Sequence, residues 1–375
     1  MIIGVLGGGQ LGRMLALAGY PLGLRFRFYE PAEDAPVDGL AERFRAPYDD
    51  FEALARFADG LDLITYEFEN VPLEALRFLA ERIPHIYPPI AALEVAQDRA
   101  LEKAFFEREG IATAPFEAVA TLDALRAAAG RLGLPAVLKT RRLGYDGKGQ
   151  AVIRAEEDIA TAWAAIAEAP AILERFVAFE REFSVVATRG RRGASVFYPA
   201  TQNVHRGGIL RRSTAPAPDV PAILEEAAQA AVSRALQQLD YVGTLAIEFF
   251  MSGDVPVANE MAPRVHNSGH WTIEGATTSQ FENHLRAVLG LPLGSTAVAG
   301  QVALVNIIGE VPDLERVYAM PDAHVHLYGK APRAGRKLGH ITLVLDAELA
   351  EQRQQQAMDR LEQVRRIWPL LAVSA

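Results

Sequence analysis

The sequence predicts an α/β chain, α+β in part, assembled from more than one domain. Three observations carry this. Short apolar runs alternate with amphipathic segments over roughly the first ninety residues, and paired apolar runs joined by turn residues dominate much of the remaining chain. The chain is also long enough to bury two or three cores, at 375 residues with 50% of positions hydrophobic.

In the first part, Ile2–Leu6, Arg25–Tyr29 and Leu61–Tyr66 read as strands, and Leu11–Ala18, Phe51–Phe57 and Leu73–Glu81 as helices. Strand and helix in alternation imply a parallel sheet with helices on its faces. Turn signals at Pro88-Pro89 close this unit, which we bound at residues 1–93. A helix beginning near Ala91 and carrying Asp98, Arg99 and Lys103 opens the second unit, 94–293, whose end is marked by Pro292 and Gly294. The third unit, 296–375, is small and β-rich: strands Gln301–Ile307 and His340–Leu345 flank a polar turn, and an Arg/Gln-rich helix, Ala347–Val364, comes after them. No internal repeat is present.

Composition excludes several function classes. A net charge of -9 gives no positive field for duplex nucleic acid or an anionic membrane, so any phosphate must be bound locally. The absence of cysteine removes thiol nucleophiles, disulfides and thiolate metal sites. The apolar run before the first glycines is too short for a signal peptide, and no later run has membrane-spanning length. A cytoplasmic protein without membrane or nucleic-acid partners is expected.

Four motifs carry chemistry. Gly7-Gly-Gly-Gln-Leu-Gly12 satisfies G-x-G-x-x-G between a strand and a helix, with Glu30 near the acidic position of a dinucleotide site. Taken alone it suggests a nicotinamide cofactor, or merely a tight turn. A third reading keeps the exposed N–H groups and changes the ligand to a phosphomonoester, faced by Gln10 and Leu11. The second motif is a strand ending at Lys139 followed by Gly144-Tyr145-Asp146-Gly147-Lys148-Gly149-Gln150, a glycine loop between two strands. Its backbone can approach phosphate oxygens while Lys139 and Lys148 supply charge, and it lacks the P-loop pattern. Third, Glu174-Arg175-Phe176-Val177 looks like a strand edge able to bond an adenine amino group, with Glu182 placed for a ribose.

The fourth motif is the strongest. Glu248 and Glu260 lie on the two arms of an apolar hairpin, Leu245–Phe250 and Val255–Glu260, and are expected to be buried side by side. Their repulsion is relieved by a hard divalent cation such as Mg2+, which commonly takes one or two carboxylates and completes its shell with phosphates and water. Pro263 and Gly269 force the next stretch into an irregular loop, where His266 and His270 lack the helical spacing of a zinc pair and read as substrate contacts.

Together these residues resemble the ATP-grasp superfamily, and within it the 5-(carboxyamino)imidazole ribonucleotide synthase family. The resemblance spans nearly the whole chain, and its most specific pieces are Gly7–Met14, Thr65-Tyr-Glu67-Phe-Glu69, Gln97-Asp-Arg99, Gly144–Gln150 and Asn259–His270. It implies an ATP-grasp fold with an N-terminal Rossmann-like domain, a central ATP-grasp domain with a mobile lid at about 115–175, and the small C-terminal domain. It implies ATP as co-substrate around Arg99, Lys139, Gly144–Gln150, Glu174–Val177, Glu182, His205, Asn259 and Glu260, with Mg2+, or Mn2+ in its place, on Glu248 and Glu260. Bicarbonate would meet Arg264, His266 and Asn267, with Lys148 assisting the chemistry. Gln10, Leu11, Glu67, Tyr145, Asp146, Lys330, Arg336 and Lys337 would meet 5-aminoimidazole ribonucleotide. The implied reaction is ATP- and bicarbonate-dependent carboxylation of that nucleotide through carboxyphosphate, in purine biosynthesis, by a homodimer. The alternatives are a formate-dependent glycinamide ribonucleotide transformylase and, outside the ligases, a nicotinamide oxidoreductase or a non-catalytic nucleotide sensor.

Overall fold

Four parallel strands, β1 (Ile2–Leu6), β2 (Arg25–Tyr29), β3 (Glu42–Phe44) and β4 (Leu63–Tyr66), form the first sheet in the order β3-β2-β1-β4. The computed structural model describes residues 1–144, 147–298 and 300–345; Tyr145, Asp146 and the helix expected at Ala347–Val364 lie outside the described residues. Helix α1 (Gln10–Gly19) buries Leu11, Met14 and Leu15, the i, i+3, i+4 stripe of an amphipathic helix, against Ile3, Val5, Phe26 and Phe28. On the opposite face α2 (Phe51–Ala58) and α3 (Leu73–Ala80) bring Leu54, Phe57, Leu76 and Leu79 onto Leu6, Ile64 and Tyr66. The alternation read from the sequence is this sheet; only the three-residue edge strand β3 was missing from it.

The helix expected from Ala91 is two helices. Asp98 is extended, at φ -128° and ψ 109°, between α4 (Ile90–Ala96) and α5 (Arg99–Arg108). Its carboxylate caps α5 by accepting from Ala100 N–H at 3.0 Å and takes the Arg141 guanidinium at 3.0 and 2.7 Å. An N-cap aspartate followed by good helix formers reads like helix interior unless its partner is known.

The second sheet is antiparallel, β5 (Phe116–Val119), β6 (Ala136–Thr140), β7 (Gln150–Ile153) and β8 (Ala171–Arg175), in the order β5-β8-β6-β7. Helices α6 (Leu122–Leu132) and α7 (Asp158–Ala165) cover one face with Leu125, Ala128 and Ala129, and with Ile159, Ala162 and Trp163. Its other side borders the third sheet, which has nine strands: β9 (Arg181–Arg189), β10 (Ser195–Phe197), β11 (Thr201–Arg206), β12 (Ile209–Ala215), β13 (Gly243–Ser252), β14 (Val255–Ala262), β15 (Gln301–Ile308), β16 (Ala323–Leu327) and β17 (Lys337–Leu345). The order is β14-β13-β9-β11-β12-β15-β17-β16, with β10 on β9, so the last three strands continue the sheet begun by the central segment. Helix α8 (Ala222–Gln238) packs Leu224, Ala228, Val232 and Ala235 onto this sheet, and no helix among the described residues is long and apolar enough to cross a membrane.

The glycine turn before α1 is filled from inside the protein. Gly8 N–H donates to Glu30 at 2.8 Å, and Gly9 and Gly12 N–H donate to the two oxygens of Glu67 at 2.9 and 3.2 Å. The positive end of the helix therefore holds two of the chain's own carboxylates where a dinucleotide pyrophosphate was one of the expected ligands. Gly7, at φ +97°, would place a Cβ 2.6 Å from Glu67 Oε1, whereas Gly23, at φ +71°, has open space around it. Gly7→Ala should therefore cost about 3 kcal/mol and Gly23→Ala about 1 kcal/mol, read from denaturant midpoints. Equal shifts would contradict the close approach of Glu67.

Candidate active site

A deep cleft separates the second sheet from strands β9, β11, β13 and β14. Its floor is a charged network. Lys139, near the end of β6, donates to Glu174 at 3.0 Å and to Asn259 Oδ1 at 3.1 Å, and buried Lys103 of α5 lies 3.5 Å from the same Glu174 oxygen. Burial by itself raises the Glu174 carboxyl, but the ammonium groups of Lys139 and Lys103 prevail and hold it below the usual carboxylate range. Glu174 Oε1 is buried and has no hydrogen-bond partner among the described residues. Glu174 is thus not the strand-edge residue expected, because β8 is an interior strand. Apolar walls come from Val137, Val152, Phe176, Val177, Phe179 and Phe250.

The described residues of the glycine loop border this cleft. Arg99 pins its start by donating to Thr140 O at 3.0 Å and Gly144 O at 3.1 Å. A Cβ on Gly147, at φ +76°, would meet Gly207 O of the opposite sheet at 2.9 Å, so only glycine allows this approach. Gly147, Lys148 and Gln150 line the cleft beside Arg175 and Glu182, and Glu182 is hydrogen-bonded to His205.

Glu248 and Glu260 are direct partners across β13 and β14, and a bulge follows, with Phe249 opposite Ala258. The bulge leaves Asn259 unpaired in the ladder and turns its amide toward Lys139. The burial expected of both acids holds for one more than the other: the Glu248 side chain is only 16% exposed, that of Glu260 47%. Arg99 stands 3.7 Å from Glu260. Burial, with Glu260 adding and His205 opposing, pushes the Glu248 carboxyl up to about 7. Two converging acids, one of them destabilised as an anion, fit the donor set of a hard divalent cation that keeps water and phosphate ligands.

Both acids also line a second, adjoining cleft with Gln10, Leu11, Glu69, Arg264, His266, Asn267 and Lys337. Arg264 donates to Glu69. Asn267 and Asn306 exchange amide hydrogen bonds at 3.0 and 2.7 Å. Burial, reinforced by Arg264 and Lys337, holds the His266 imidazole well below its ordinary value. Lys330 donates to Gln10 Oε1 at 2.5 Å.

Three family models match the chain in sequence: a ribonucleotide synthetase preATP-grasp domain over residues 1–97, an ATP-grasp domain over 104–281, and a phosphoribosylaminoimidazole carboxylase C-terminal domain over 302–355. An N5-carboxyaminoimidazole ribonucleotide synthase from Pseudomonas aeruginosa is 53% identical over 357 residues, which is 94% of this chain and 98% of the relative. The chain belongs to the N5-carboxyaminoimidazole ribonucleotide synthase family. The fold agrees: the synthetase of Thermus thermophilus superposes with a TM-score of 0.90 at 56% identity, covering 96% of this chain and 98% of that one. The Aspergillus clavatus synthase solved with ADP and 5-aminoimidazole ribonucleotide gives 0.87 at 30% identity, covering 96% and 98%. Membership removes the transformylase, oxidoreductase and sensor alternatives.

Within the synthase framework most of the residues singled out in sequence converge on the two clefts. Three do not. Glu67 is buried beneath the glycine turn, and its place in the cleft is taken by Glu69, two residues on along the same chain segment. His270 is 1% exposed and bonds Gln280 away from the cleft, because Asn267–Gly269 forms a 3-10 turn in place of the irregular loop expected. Arg336 turns its guanidinium to Ala331 O at 3.2 Å, outside both sets of lining residues. Sequence reasoning missed Asn306, Glu102 and Arg141; Asn306 had left a signal, as the one polar residue within Val302–Ile308.

The raised Glu248 carboxyl makes a prediction about stability. A group whose folded value is raised contributes stability below its unfolded value, here 4.5, and loses it as pH rises through about 7. Glu248→Gln should therefore melt about 2 °C above wild type in EDTA at pH 8, with the gap closing toward pH 4.5. A variant no more stable than wild type at pH 8 would contradict the charge conflict.

Proposed function

We propose that this synthase makes carboxyphosphate from ATP and bicarbonate at the junction of the two clefts, in the ATP-dependent carboxylation of 5-aminoimidazole ribonucleotide to N5-carboxyaminoimidazole ribonucleotide. The observation that carries this is that Glu248 and Glu260 border both clefts at once, so phosphate delivered from one side meets a carboxyl acceptor held in the other. Mg2+, or Mn2+ in its place, would be held by the two carboxylates and would neutralise charge among the phosphates.

The adenine lies between Phe176, Val177 and Phe250, where the unpartnered Glu174 Oε1 suits an amino donor. Lys139, Lys148 and Arg99 hold the phosphates, with Glu182 and His205 at the ribose side. In the second cleft Arg264, His266 and Asn267 orient bicarbonate. Its oxygen attacks the γ-phosphorus, the bond to ADP breaks, and carboxyphosphate results. The exocyclic amine then takes the carboxyl group, from carboxyphosphate or from CO2 it releases in the closed site, and phosphate leaves. Gln10, Leu11, Lys330 and Lys337 take the ribose phosphate, with the two lysines supplying the positive charge that the occupied N–H groups of the glycine turn do not. Gly147, Lys148 and Gln150, which line the first cleft, close over the site and exclude water. The family resemblance also supports a cytoplasmic homodimer, whose subunit number sedimentation measures directly.

Steady-state ADP release with Mg2+ and bicarbonate tests the reading. It should be stimulated by 5-aminoimidazole ribonucleotide and lost in both Glu248→Gln and Glu260→Gln; ADP release indifferent to that nucleotide would overturn it. Arg264→Ala should lower turnover roughly 10²- to 10³-fold, as for loss of one transition-state anion donor, and unchanged turnover would remove Arg264 from the chemistry.

A further inference from the structure

A line of buried polar side chains crosses the third sheet and ends on His266, and the reaction outlined above does not use it. Ser213 on β12 donates to Asn203 Oδ1 on β11 at 2.8 Å, and Asn203 Nδ2 donates to Ser184 Oγ on β9 at 3.0 Å. Ser184 donates to Ser268 Oγ at 2.7 Å, and Ser268 Oγ lies 2.8 Å from His266 Nδ1. Ser184, Ser213 and Ser268 are fully buried, and Asn203 is 4% exposed. Burying four polar side chains under an active-site loop is costly unless each is satisfied, and here each is satisfied by the next.

The line has a direction. The backbone N–H of Ser268 also points at His266 Nδ1, at 3.3 Å, and a backbone N–H can only donate. Nδ1 is therefore the acceptor nitrogen. Asn203, donating through its amide nitrogen, fills the Ser184 oxygen and leaves the Ser184 hydroxyl to donate onward; Ser268 then donates to Nδ1 in turn. With Nδ1 accepting, the ring proton resides on Nε2, which faces Glu248 Oε1 at 3.4 Å in the cleft.

We propose that Ser268, backed by Ser184 and Asn203, is a positioning residue that locks His266 in the Nε2–H tautomer, making it a fixed hydrogen-bond donor to the carboxyl group being transferred and not the base of the reaction. The proposal rests on the carboxylation reading above. With Nδ1 engaged and Nε2 protonated, the ring has no lone pair for the amine proton. When the exocyclic nitrogen bonds the carboxyl carbon and the carbon–oxygen bond to phosphate breaks, the departing phosphate takes that proton. His266 meanwhile supplies a donor whose aim is set from behind, as an orienting partner sets the tautomer of other catalytic histidines.

The test is long-range 1H–15N correlation NMR on enzyme labelled at histidine nitrogen, with the His266 signals assigned by their loss in His266→Gln. The wild-type enzyme should show a pyridine-like Nδ1 and a pyrrole-like Nε2. Ser268→Ala should move His266 toward a mixture of tautomers and lower kcat about tenfold, with KM for both nucleotides within about twofold, and Ser268→Thr should restore spectrum and rate. A protonated Nδ1 in the wild-type enzyme overturns the proposal without any need for a variant to fold. So does a fall in kcat in Ser268→Ala with the tautomer unchanged, which would assign Ser268 to packing. Stimulation of wild-type ADP release by 5-aminoimidazole ribonucleotide reports on the carboxylation reading separately, so the two failures are distinguishable.

Discussion

The arrangement of this site depends on two carboxylates that the sheet sets side by side. Antiparallel pairing puts Glu248 opposite Glu260, and like charges directly across a ladder repel. The surroundings answer that repulsion unevenly. Arg99 lies near Glu260 and His205 faces Glu248, yet the Glu248 carboxyl is still pushed up, so the protein alone does not neutralise the pair. A pair left in conflict by its own surroundings, at some expense in stability, has the donor set that suits a cation and phosphates. The same logic runs one layer deeper. Burial and Glu260 together drive the carboxyl of Glu102 up to about 8, and Glu102 accepts the Met261 N–H at 2.6 Å, bracing the strand that carries Glu260.

The glycine turn before α1 shows how one local pattern serves different ligands. Strand, tight turn and helix start are all present as a dinucleotide site would have them, and the fold places Glu30 and Glu67 on the donors instead. The turn then works as a rigid platform that presents Gln10 and Leu11 to the second cleft. Helix α9 (Gln280–Leu289) packs Phe281 and Leu285 into the core shared with α1, fixing that platform against the central segment.

Legibility in the sequence followed periodicity and covalent spacing. The β13–β14 hairpin could be read because its apolar alternation, its Ser-Gly-Asp turn and its two acids lie within one short segment. The glycine loop after Lys139 was equally local. What was hidden depended on partners far along the chain. Asp98 breaks a helix because Arg141 is there to bind it; Glu67 leaves the cleft because Gly9 and Gly12, near the start of the chain, donate to its carboxylate and Gly7 leaves room for it. Asn203, Ser184 and Ser268 look like ordinary strand and turn residues until the sheet aligns them. Of the C-terminal strands β15 and β17 were found, but β16 and the fusion to β12 were not, since sheet order across an intervening hairpin and its flanking helices leaves no periodic trace.

The central claim is that a bicarbonate oxygen attacks the γ-phosphorus where the two clefts meet. Bicarbonate labelled with 18O, turned over with ATP and 5-aminoimidazole ribonucleotide, tests it most directly, by mass analysis of the inorganic phosphate released. The account predicts one labelled oxygen per phosphate, carried over from bicarbonate through carboxyphosphate. Phosphate free of label would contradict it, because the carboxyl group would then have reached the amine without passing through a bond to phosphorus.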